Sequence, residues 1–120
     1  MRSSMVMITA ERRRHVRVKP TPELPARVVL GDGPVRESLD VVDVSLGGFA
    51  LSSPALRSTQ AGARLALTLA LGTGREHAID VVARWAKAEV VGVELVEPAQ
   101  EVTESLRRYV AELLERGGAS

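Results

Sequence analysis

Arg12, Arg13, Arg14, Arg17 and Lys19 stand within eight residues of one another near the start of the 120-residue chain. A guanidinium offers a planar fork of donors, stays charged when partly desolvated and lies flat on aromatic rings, so it suits phosphate oxygens and the O6/N7 edge of guanine. A flexible arm bearing several arginines therefore suits a compact anion containing purine rings. The second constellation is Asp43, Ser45, Gly47 and Gly48 in the run Asp-Val-Ser-Leu-Gly-Gly. Asp43 offers an acceptor pair for guanine N1–H and N2–H or for an arm arginine, Ser45 can bond to backbone or ligand, and the two glycines permit unusual backbone geometry or close approach. Read alone, the arginine run is first of all a solvated basic tail, and Asp43 and Ser45 first of all caps of a glycine turn.

Other reactive side chains have less support. His15 lies inside the arm and can titrate near neutrality beside phosphate, while His77 has no nearby His or Cys in sequence to share a metal. Asp40 and Asp43 are an odd number apart, which puts them on different faces of an ideal strand and argues against a carboxylate pair. Trp85 falls in phase with Ile79, Val81 and Ala83 and reads as core or barrel-rim packing, with ligand stacking as the lesser alternative. No nucleophile elbow surrounds Ser45, and the Gly31–Gly33 and Gly72–Gly74 segments lack the Lys-Ser/Thr ending of a P-loop. No catalytic residue is assigned, and no metal or cofactor is expected.

The elements that would position these residues follow from periodicity. Apolar residues make up 45% of the chain and charged residues 26%, enough for one folded core, with one Trp, one Tyr and one Phe, so that core must be aliphatic. The absence of Cys excludes a disulfide frame and fits a reducing compartment. No stretch has the length and apolarity of a signal sequence or a membrane span, so a cytoplasmic protein without a membrane role is expected. Alternation predicts strands at 24–30, 36–44, 48–51, 63–71, 76–87 and 91–95, with Leu24, Ala26, Val28 and Leu30, then Leu65, Leu67, Leu69 and Leu71, on inward faces. Residues 31–34 and 72–74 read as turns, and 54–62 as a loop with one helical turn. After Pro98, Val102, Leu106, Tyr109, Val110, Leu113 and Leu114 recur at helical spacing, Glu104 precedes Arg107 and Arg108, Glu112 precedes Arg116, and Gly117 and Gly118 end the helix. Six antiparallel strands in meander order, closed into a small barrel, with a C-terminal helix that seals one end or meets a second copy, is the expected all-β architecture.

With both constellations in this order, the chain resembles the PilZ domain family, bacterial receptor modules for cyclic di-GMP. The family's Arg-three residues-Arg motif is matched by Arg13 and Arg17, its Asp/Asn-X-Ser-two residues-Gly motif by Asp43, Ser45 and Gly48, and its late strand by Gly92-Val93-Glu94-Leu95. The resemblance runs from Glu11 to the terminal helix. It implies a flexible N-terminus at 1–10, one PilZ-like domain over 11–116 (arm 11–22, barrel 23–97, helix 99–116) and a tail at 117–120. It further implies that Arg13 and Arg17 grip phosphates and guanine faces, that Asp43 and Ser45 bond to a guanine edge, and that Gly48, beside Gly47, holds the turn open beneath it. Arg12 resembles the arrangement in members that take a stacked pair of ligand molecules, and Arg14 supports either mode.

The function this implies is a non-catalytic cyclic di-GMP effector that signals by conformational change to a downstream protein, controlling motility, surface structures or exopolysaccharide. Two alternatives keep the fold and change the function: a PilZ-like scaffold that binds proteins and no nucleotide, and a small nucleic-acid-binding barrel. Against nucleic acid stand the near balance of 16 Lys plus Arg with 15 Asp plus Glu and the lack of Phe/Tyr platforms on the strands. A homodimer through the C-terminal helix remains open.

Overall fold

A computed structural model describes residues 16–31 and 36–116. Six strands precede a helix: β1 (Ala26–Leu30), β2 (Glu37–Val44), β3 (Gly48–Ser52), β4 (Arg64–Leu71), β5 (His77–Lys87), β6 (Val90–Leu95) and α1 (Gln100–Glu115). The strands close into an antiparallel barrel, and the expected fold class is the one observed. Neighbour order differs from the expected meander: it runs β1-β2-β3-β6-β5-β4, with β4 returning to β1. The cause is the connection after β3. Ser53, which is buried, accepts from the Ala55 amide and starts a 3₁₀ turn at Pro54–Leu56, and its own amide donates to Glu89 O in the β5–β6 turn. The chain is thereby carried across the barrel, β4 pairs with β1, and β6 takes the free edge of β3.

Inside, the aliphatic faces form one core. Val28, Leu39, Val44, Phe49, Leu51, Leu67, Leu69, Ile79, Val81, Val91 and Val93 are all buried, and Leu24, Ala26, Leu30, Leu65 and Leu95 pack on them half-buried. Leu24 lies outside β1, in a turn where it exchanges backbone bonds with Thr21 and its amide also donates to Thr21 Oγ1. The expected turn at 31–34 and the helix-ending Gly117 and Gly118 lie mostly or wholly outside the described residues.

Helix α1 buries Val102, Leu106, Tyr109, Val110 and Leu113 in that same core, so the apolar stripe covers the barrel, with Leu114 alone of the expected face left exposed. Glu112 pairs with Arg116 at 3.1 Å as expected, whereas Glu104 accepts from the Gln100 amide at 3.2 Å. The helix is fixed to the chain ahead of β1 by the Tyr109 hydroxyl, which donates to Leu24 O at 2.7 Å.

Burial pushes the Tyr109 phenol up to about 12 from its usual 10.0. The neutral phenol is thus favoured by folding: its contribution is whole below pH ~10, and is lost as pH rises from there through the folded value. Tyr109→Phe is expected to cost about 1 kcal/mol near neutrality through the lost hydrogen bond, and to abolish this alkaline loss of stability. Urea unfolding of both proteins between pH 7 and 12 checks both.

Candidate functional site

The site begins with Val18. Its side chain is fully buried, and its amide and carbonyl exchange two hydrogen bonds with Val44, at 2.9 and 2.8 Å, in an antiparallel bridge. Alternation then turns Arg17 outward. On β2, Leu39 and Val41 face the core, and strict alternation would send Asp43 inward after them. The register of β2 on β3 slips between Val41 and Asp43, so Val42 is the extra residue of a bulge, Val44 faces the core opposite Phe49, and Asp43 emerges on the outer face opposite Ala50. Arg17 Nη1 donates to both Asp43 oxygens, at 3.3 and 3.4 Å. The arginine side chain is 52% exposed and the carboxylate 16%, so Arg17 covers the aspartate and keeps a solvent-facing edge. The bulge corrects a further expectation: Asp40, opposite Ser52, shares the outer face with Asp43.

Ser45 closes the turn that follows. Its amide donates to Gly48 O at 2.9 Å and its hydroxyl to the same oxygen at 3.3 Å, while Leu95 N donates to Gly47 O at 2.9 Å. Neither Gly47 nor Gly48 has positive φ, so backbone freedom is not what the motif uses. Close approach is: a Cβ on Gly48 would lie 2.0 Å from Val93 O, because β3 and β6 meet there backbone to backbone.

The far wall comes from residues without an assigned site role in the sequence. A second slip, between Ala83 and Trp85 on β5, makes Arg84 a bulge residue and puts Trp85 opposite Gly92, whose neighbours Val91 and Val93 both face inward. Trp85 therefore stands outside the barrel, 41% exposed, which overturns the expectation that it packs in phase with Ala83. Its indole lies on Gly92 so closely that a Cβ there would be 2.2 Å from Nε1. Arg84 Nε donates to Glu94 beside it. Arg17, Asp43, Ser45, Gly47, Gly48, Arg84, Trp85, Gly92 and Glu94 together line a cleft of about 260 Å³. The signal in the sequence was Gly92 itself, a side-chain-free position in an otherwise apolar strand, which invites close approach by a neighbour.

Of the expected site residues, Arg17, Asp43, Ser45, Gly47 and Gly48 meet in this cleft, whereas Arg12, Arg13, Arg14 and His15 lie outside the described residues. His77 sits elsewhere, in a groove with Arg75, Glu101, Ser105 and Arg108. No group of His and acidic side chains among the described residues could hold a metal. No helix among them is long and apolar enough to cross a membrane. Chemically, the cleft combines two arginines, two carboxylates, a flat indole seated on Gly92 and a floor without a side chain at Gly48, which suits a planar heterocycle bearing negative charge.

The molecule is thus a small closed antiparallel barrel sealed by a C-terminal helix, with a cleft on its outer face where an arginine-bearing segment joins the β2–β3 turn. The sequence matches the PilZ domain model over residues 11–112, and the chain belongs to that family. No curated protein matches the sequence. Among solved structures, the chain is similar to YcgR from Escherichia coli in complex with c-di-GMP, at 17% identity and a TM-score of 0.68 over 88% of this chain and 47% of that one. It is similar to the MrkH–c-di-GMP complex of K. pneumoniae at 19% identity and 0.67, over 84% and 51%. The isolated PilZ domain of E. coli YcgR with c-di-GMP aligns at 19% identity and 0.62, over 88% and 94%. The chain thus spans about half the length of YcgR and MrkH and nearly all of the isolated domain.

Because Gly48 is confined by the Val93 carbonyl, Gly48→Ala is expected to force β3 from β6 and destabilise the fold by about 1–3 kcal/mol. Gly92→Ala should instead displace the indole, seen as an altered emission from Trp85, the chain's one tryptophan, with little change in the urea midpoint.

Proposed function

We propose that this domain is a cyclic di-GMP receptor that changes the shape and charge of its outer face on binding and makes or breaks no covalent bond. The observation that carries the reading is the junction of both motif halves, Arg17 on Asp43, at the rim of a cleft floored by Gly48. Membership of the PilZ family and likeness to three structures solved with c-di-GMP support it. In this reading Arg17 turns its exposed donors to a phosphate, Asp43 accepts from the N1–H and N2–H of one guanine, Ser45 holds the turn, and Trp85 offers its face to a base. Arg12, Arg13 and Arg14 add charge from the preceding arm, and Arg12 brings a second ligand molecule, stacked on the first. The bound face is then read by a downstream protein in the control of motility, surface structures or exopolysaccharide.

Calorimetric titration with cyclic di-GMP, with GTP and single-stranded RNA as controls, tests the reading. Saturable binding selective for the cyclic dinucleotide is expected, weakened at least about tenfold in Arg17→Ala and in Asp43→Ala, each of which removes a charge-assisted hydrogen bond. Two ligands per chain are expected, and one per chain removes the role given to Arg12. Emission from Trp85 should fall on saturation. Absence of heat and of any fluorescence change at high micromolar ligand overturns the reading in favour of a protein-binding scaffold.

A further inference from the structure

We infer that Arg84 and Glu94 form a second guanine-reading pair on the β5–β6 side of the cleft, complementing Arg17 and Asp43 on the β2 side. The inference rests on the function proposed above and deepens it. Glu94 lines the cleft, and its carboxylate accepts from Arg84 Nε. Its ladder partner on β3 is Gly48, which carries no side chain, whereas its partner on β5 is Val82, and Gly92, two residues back along β6, is covered by the Trp85 indole. The carboxylate therefore shares the cleft with the Trp85 indole, and the floor beside it on the β3 side carries no side chain at Gly48.

A carboxylate on the wall of a site for a dianion is repulsive unless it is both neutralised and given a donor to accept. Arg84 supplies the first. The bulge in β5 brings it to the outer face next to Trp85, and its side chain, 63% exposed, retains free N–H groups. A guanine Watson–Crick edge supplies the second, since N1–H and N2–H are paired donors matched to a carboxylate, whereas adenine presents an acceptor at N1 and is repelled. A ligand with two guanines and two phosphates has a use for two arginine–carboxylate pairs. In the described site each carboxylate is already held by an arginine from a neighbouring element, Asp43 by Arg17 and Glu94 by Arg84. Arg84 acts here as a positioning residue for Glu94.

The test is titration of the full chain and of Glu94→Ala, Glu94→Gln and Arg84→Ala with cyclic di-GMP and with the cyclic dinucleotide carrying hypoxanthine in place of guanine, which lacks the 2-amino donors. The intact protein should prefer the guanine ligand. Both Glu94 variants should bind it at least about tenfold more weakly and lose part of that preference, with Asp43 retaining the rest, and Arg84→Ala should follow them. Glu94→Gln keeps the side-chain volume, so a folding defect in Glu94→Ala leaves the outcome decidable. Unchanged binding by the Glu94 variants, beside normal binding by the intact protein, overturns this inference alone, and tighter binding overturns it by making Glu94 an electrostatic brake. No binding by the intact protein overturns the receptor reading and this inference with it.

Discussion

The bridge between Val18 and Val44 is a single pair of backbone hydrogen bonds, yet the geometry of the cleft follows from it. Val18 cannot slide along β2 without withdrawing a fully buried side chain, a move that costs roughly 1.5–3 kcal/mol in lost apolar burial alone. Side chains alternate along an extended segment, so fixing Val18 inward fixes Arg17 outward, and the same bridge holds Val44 inward and Asp43 outward. The ion pair is thus a consequence of the core's registration. Its own strength contributes little: exposed pairs of this kind are worth roughly 0–1 kcal/mol.

Each wall of the cleft depends on one extra residue in a strand. Without the bulge at Val42, Asp43 would follow Leu39 and Val41 into an aliphatic core, where an unpaired carboxylate is far too costly to retain. Without the bulge at Arg84, Trp85 would follow Ile79, Val81 and Ala83 inward, into a barrel already filled by Leu51, Leu69, Val28 and Val91. Phase inversion therefore keeps the interior aliphatic and delivers a carboxylate and an indole to the outer surface. Gly48 and Gly92 complete the arrangement by clearing the floor between them, one for the Val93 carbonyl and the other for the indole.

Much of the fold was legible because alternation and helical spacing depend on local chemistry alone. The inward leucines of β4, the valines of β6 and the buried stripe of α1 lie where their spacing put them. Strand neighbours were not legible, since alternation says which face a residue occupies and nothing about which strand lies beside it. The β3–β6 and β1–β4 pairings depend on how the 53–63 connection crosses the barrel. The bulges were hidden for a related reason: an extra residue exists only relative to a partner strand, and both expectations they overturned, the faces of Asp40 and the place of Trp85, assumed ideal strands. Arg17, Asp43 and Ser45 were legible as a site only jointly, through their order and the PilZ resemblance, and Val18, which positions the first of them, looks in the sequence like any other valine.

The arm's root is held at two points, by Val44 at Val18 and, through the Thr21–Leu24 turn, by the Tyr109 hydroxyl on Leu24 O. In the proposed reading Arg17 consequently meets a ligand with the backbone that follows it already ordered, and the entropy lost at this end of the site is that of side chains. The pairs to be exchanged, Arg17 with Asp43 and Arg84 with Glu94, are exposed and individually weak, so breaking or sharing them costs little, whereas charge-assisted bonds to phosphate and guanine are about twice as strong as neutral ones. The backbone floor at Gly48, by contrast, is set by strand pairing and cannot adjust without opening the barrel. In the proposed reading, capture therefore falls to the arginines, and selection falls to the carboxylates they hold above the rigid floor.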